Sequence, residues 1–70
     1  MERVPVSSSS LASVGYEEET QTLEVEFLKT GVYQYFGVPS PLHEGLMTAQ
    51  SVGTFFAANI RNSFPFQKVG

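Results

Sequence analysis

TLEVEFLKTGVYQYFGVP, Thr22 to Pro39, holds two runs of alternating residues on either side of a glycine. Leu23, Val25 and Phe27 alternate with Thr22, Glu24 and Glu26, the pattern of an antiparallel strand with one buried and one solvated face. Lys29-Thr30-Gly31 predicts a three-residue hairpin loop, with Gly31 supplying the positive φ that a type I turn followed by a bulge needs. If Leu28 pairs with Val32, then Phe27 lies opposite Tyr33 and Val25 opposite Tyr35. That register places both tyrosines on the apolar face with Leu23, Val25 and Phe27. Leu28, Val32, Gln34 and Phe36 then share the other face with Glu24 and Glu26.

Upstream of the hairpin, a two-fold pattern begins at Leu11. Ala12, Val14 and Tyr16 fall on one face, Ser13 and Gly15 on the other, which predicts a first strand joined through the Glu17–Gln21 turn. Met1 to Val6 reads as a flexible extended arm, because Pro5 lacks a backbone donor and the serine run Ser7–Ser10 has no periodicity. Downstream, Pro39 and Pro41 interrupt strand pairing, and Ser40 followed by Pro41 suits the cap and first turn of a helix. Leu42, Leu46, Met47 and Ala49 follow helical spacing. Ser51 can cap a second helix over Val52 to Asn62, in which Val52, Phe56 and Ile60 recur every four residues. Phe64 and Phe66 are expected to pack on the helices before a short tail, residues 67–70. The expected fold is α+β: a three-stranded antiparallel β-meander followed by two α-helices packed on one face, one domain over residues 7–66.

Composition narrows the function. A 70-residue chain buries only ~60% of its unfolded surface, so each large apolar residue is first a core candidate. Without cysteine there is no disulfide, thiolate metal site or cysteine nucleophile, and nothing points to an oxidising compartment. No apolar run has the length of a signal sequence or a membrane span. A cytoplasmic protein is expected. Seven acids against four bases leave a net charge of −3, an unfavourable overall field for nucleic acid, whose affinity comes largely from Lys and Arg on phosphates. Glu17, Glu18, Glu19 and Glu24 concentrate that charge around one turn, however, so Lys29, Arg61 and Lys68 are free to define a local basic patch.

Candidate chemistry is sparse. His43-Glu44 resembles the start of a zinc H-E-x-x-H helix, but position 47 is Met and no second histidine exists, so no metal is expected. Ser51-Val52-Gly53 lacks the flanking glycine, preceding strand and base of a nucleophile elbow, and Ser51 is accounted for as a cap. Gly53 in a first helical turn weakens local propensity, which predicts a close approach from the sheet or the first helix. Exposed Tyr33 and Tyr35 would suit base stacking, yet the register assigns them to the core with their hydroxyls at the rim. Leu28, Val32 and Phe36 form the alternative, an apolar row on the open face suited to a partner or a second copy. Arg61, on the last turn of the second helix, complements the helix dipole and is equally placed, with Lys68 and Lys29, to contact phosphate or an acidic partner.

In order along the chain stand VSSSSLASVGY, LEVEF, the G-x-Y-x-Y-x-G-V-P of residues 31–39, and the A-x-S-x-G-x-F-F of residues 49–56 followed by Ile60-Arg61. Together these resemble the KTSC domain, a small family named for the C-terminus of some lysyl-tRNA synthetases and found also as free-standing bacterial proteins. The resemblance spans about Val6 to Phe64. It implies that Tyr33, Tyr35, Val38, Pro39, Ser51 and Gly53 are the family motif, mainly structural, with RNA binding suggested by the synthetase association and no catalytic residue or cofactor. Relatives often carry a basic residue between the tyrosines and near the position of Glu26, and an aromatic at the position of His43. Gln34, Glu26 and His43 depart from this, which removes two phosphate contacts. The sequence therefore favours a non-enzymatic interaction module, monomeric or weakly dimeric, for an unknown protein partner, with an RNA-binding accessory module as the alternative.

Overall fold

Residues 1–70 are described by a computed structural model. The central hairpin consists of β3 (Thr22–Phe27) and β4 (Gly31–Phe36). Ahead of it lie β1 (Val4–Pro5) and β2 (Leu11–Glu17), and after it α1 (Ser40–Thr48), α2 (Val52–Asn59) and β5 (Phe66–Lys68). All five strands form one antiparallel sheet in the order β1-β2-β3-β4-β5. The architecture is thus α+β with two helices, but the sheet has five strands where three were expected. The additional two are its edges. The segment expected as an arm supplies β1, and Phe66–Lys68, expected to pack on the helices and lead into the tail, supplies β5.

The hairpin pairs Phe27 with Gly31, Val25 with Tyr33 and Leu23 with Tyr35, a shift of two residues from the expected register. Leu28 leaves the β3–β4 ladder because its N–H donates to the Ser10 carbonyl (2.9 Å) on the β2 side, so the turn is Leu28–Thr30. Gly31 opens β4 with φ of 102°. An even shift exchanges no faces, and both tyrosines remain on the side of Leu23 and Val25. β2 departs from simple alternation: its pairing with β3 shifts between Leu11 and Ser13. The bulge at Ala12 turns Leu11, with Val14, into the core.

Leu11, Val14, Leu23, Val25, Tyr35 and Val38 from the sheet side meet Leu46, Val52, Phe56 and Ile60 from the helices and their ends. Phe56 fixes the contact, with ring centroids 5.4 Å from Phe27 and 5.2 Å from Tyr35, both edge to face. The helices approach closely where Gly45 passes Phe55: a Cβ there would sit 2.7 Å from the ring. Gly53 is explained differently from expectation. The neighbour its missing side chain admits is the serine loop, with Ser10 Oγ 2.9 Å from a Cβ position.

Ser51 caps α2 as expected, accepting from the Thr54 N–H at 3.3 Å. Pro39 occupies the cap position of α1, and Ser40 is already helical with no side-chain capping bond. α2 ends at Asn59, not Asn62. Asn59 turns its side-chain amide back onto the Phe55 carbonyl (3.1 Å), and Ile60 leaves helical geometry with φ of −122°.

Candidate interaction surfaces

The sheet face turned away from the helices is polar at its centre. Glu24 projects there and is nevertheless only 7% exposed, a position that a carboxylate occupies at little cost only with partners. It has them. Gln34 Nε2 donates to its Oε1 at 2.8 Å, and the Arg3 guanidinium donates to its Oε2. Arg3 Nε also reaches Ser13 Oγ at 3.0 Å, and the Ser13 hydroxyl donates to Glu26 Oε1 at 2.8 Å. The Gln34 hydrogen bond, assisted by Arg3, holds the Glu24 carboxyl below its ordinary value against the opposing effect of burial. Gly15 completes the arrangement, because a Cβ there would meet the Glu2 carbonyl at 2.5 Å. The N-terminal segment thus lies directly on β2.

The expected apolar row on this face does not form as a unit. Leu28 is 57% exposed but lies in the turn, outside the strand. Val32 and Phe36 are half-buried and stand on either side of Gln34. Val32 also exchanges backbone hydrogen bonds with Val69 and Gly70, so the chain end packs against it.

On the helix side, beyond α2, the sheet carries a different surface. Tyr35 is buried and Tyr33 half-buried, so the two motif tyrosines are not equivalent. Phe66 sits opposite Tyr35, and Lys68 opposite Tyr33. The Phe66 ring lies 5.4 Å from Tyr35 and 5.9 Å from Tyr33, while Phe66 itself remains 56% exposed. Lys68 runs toward Gly31, with its Cε 3.3 Å from a Cβ position there, beside the turn that carries Lys29. Arg61 falls just past the end of α2, not on its last turn. Its charge acts on the Tyr35 hydroxyl, opposing the rise that burial and Tyr33 impose on that group. No acid follows Glu44 in the sequence, so α2, the segment after it and β5 contribute cations only. Phe66 was missing from the sequence-level candidates. Its signal was the apolar residue two positions before Lys68, which makes sense only once the segment is a strand.

His43 has no second metal ligand grouped with it. Its ring stacks on Tyr16 with centroids 4.6 Å apart and planes 9° from parallel, and Tyr16 donates to the Val38 carbonyl at 2.6 Å. Desolvation lowers the His43 pKa, with Glu44 opposing. No group of His, Cys, Asp and Glu is arranged to hold a metal ion. No helix is long and apolar enough to cross a membrane.

A small antiparallel sheet with two helices on one face, a Tyr33-Gln34-Tyr35 strand beside its β5 edge and a Ser51-capped second helix define the class. The KTSC domain family matches residues 7–64, and the chain belongs to that family. A crystal structure of a KTSC domain protein from Yersinia pestis superposes with a TM-score of 0.97 at 43% identity, covering 99% of this chain and 97% of that one. An uncharacterized protein of Stutzerimonas stutzeri is 46% identical over 56 residues, 80% of this chain and 79% of its own length. A lysine–tRNA ligase of Nostoc punctiforme is 39% identical over 61 residues, 87% of this chain but 11% of the ligase. The chain thus corresponds to a free-standing small protein and to one short region of a much larger synthetase.

Proposed function

We propose that the chain is a non-enzymatic module that binds single-stranded RNA along the β4–β5 edge. The observation that carries this reading is the exposed Phe66 ring beside Tyr33, with Lys68 across from Tyr33 and Arg61 at the adjoining helix end. An exposed ring stacks on any base, and flanking cations follow the phosphates. The acid-free sequence after Glu44 offsets the unfavourable net charge locally. Similarity to a segment of lysine–tRNA ligases is consistent with a role beside RNA. The protein-partner alternative loses its main support on the open face, where Leu28, Val32 and Phe36 are not contiguous.

Titration of labelled single-stranded RNA and tRNA at low and high salt tests the proposal. Binding is expected to fall with salt, and Phe66→Ala is expected to weaken it by about 1–3 kcal/mol, the contribution of one stacked base. Absence of salt-sensitive binding at low ionic strength rejects it.

A further inference from the structure

A second surface lies along the seam between the N-terminal segment and α1. Two hollows, of about 460 and 370 Å³, meet there at Met47, which lines both. Their lining is partly apolar, with Val4, Val14 and Tyr16 at one end and Val6 and Val52, beside Ser7 and Gln50, at the other. Val4 is 56% exposed within it.

Acids outnumber cations along this seam. Glu2 and Glu17 line the larger hollow together with His43 and with Met1, which carries the terminal ammonium, and no Lys or Arg lines either hollow. Glu18 is close enough to act on the Tyr16 hydroxyl, and Glu44 acts on His43. Glu17 accepts from the Thr20 hydroxyl at 2.8 Å but has no cationic partner. The nearby side-chain cation, Arg3, is turned onto the opposite sheet face by Glu24 and Ser13. A partly apolar floor with an acidic rim that holds no Lys or Arg is complementary to a side chain with an aliphatic stem and a cationic head.

We infer that this seam docks a basic, apolar-interleaved segment of a partner protein, its Lys or Arg side chains laid over Val4 and Met47 with their charges at Glu2 and Glu17. Arg3 is a positioning residue for this site. By fastening the N-terminal segment to Glu24, it holds in place the wall that Glu2 and Val4 provide. The site is separate from the β4–β5 edge, and neither proposal needs the other.

The test is an NMR titration of the isotope-labelled full chain with three short probe peptides, leucine alternating with arginine, with serine or with glutamate. Only the arginine peptide is expected to shift the amides of Val14–Glu17, His43 and Met47. Glu17→Lys, at an exposed position that preserves the fold, is expected to weaken binding about five-fold, the scale of one solvent-exposed ion pair. Arg3→Ala is expected to weaken it too while the spectrum of the α2 and β4 amides stays native. Equal response to the glutamate peptide, shifts confined to other residues, or unchanged affinity in Glu17→Lys overturns the inference. So do seam shifts that follow protein concentration without peptide, which identify a second copy as the occupant. A chain that ignores RNA yet binds the arginine peptide rejects the RNA proposal alone.

Discussion

Glu24 is the residue whose environment is most specific, a nearly buried carboxylate on the sheet face that faces away from the core. Its folded pKa is depressed below the ordinary 4.5, so it contributes stability above that pH, and the contribution is lost as pH falls through the lowered value. Glu24→Gln is accordingly expected to flatten the acid limb of stability below pH 4.5, measured by chemical denaturation across pH. Arg3→Ala is expected to cost about 1 kcal/mol at neutral pH, a modest value because the guanidinium is partly exposed. Gly31 is constrained from two sides, by its positive φ and by the Gly70 carbonyl lying against any Cβ. Gly31→Ala should therefore destabilise by about 1–3 kcal/mol, read from the shift in denaturation midpoint.

At the scale of elements, α2 depends on its cap. Ser51→Ala is expected to cost roughly 1 kcal/mol, within the usual range of about 0.5–2, while Ser40→Ala should cost less because Ser40 makes no capping bond. The elements also show why some of the structure was legible in the sequence. Leu23, Val25, Phe27, Tyr33 and Tyr35 went to the correct face because period-two alternation survives an even error in register. The error arose because Leu28 spends its N–H on Ser10, a long-range partner that no local pattern reports. β5 escaped notice because three exposed residues after a proline carry no alternation of their own. Of the candidate site, Lys68 and Arg61 were legible by charge. Phe66 required a strand pairing to place it beside Tyr33, and Arg3 required a partner on another strand.

For the whole molecule, acid acts in two windows. His43 has its folded pKa lowered by desolvation, so stability begins to decline as pH falls below the ordinary 6.5 and continues until the folded group is protonated. Glu24 adds its loss further down. His43→Phe should remove the upper step and leave the lower one, as followed by thermal unfolding across pH. Charge is also divided along the chain, with the acidic turn Glu17–Glu19 between β2 and β3 and the cations Lys29, Arg61 and Lys68 all after β3. RNA binding through those three cations should therefore have a shallow salt dependence, with a logarithmic slope of about −2. The bulge at Ala12 imposes a parity constraint on the chain. Leu11 and Val14 are an odd number of positions apart and still share the core, so the inward–outward frame changes phase once, at Ala12. Deleting that alanine would put Leu11 two positions from Val14, on the same face of an unbroken ladder, so the core would survive its loss; straightening the strand with Ala12 in place would instead turn Leu11 onto the acidic face.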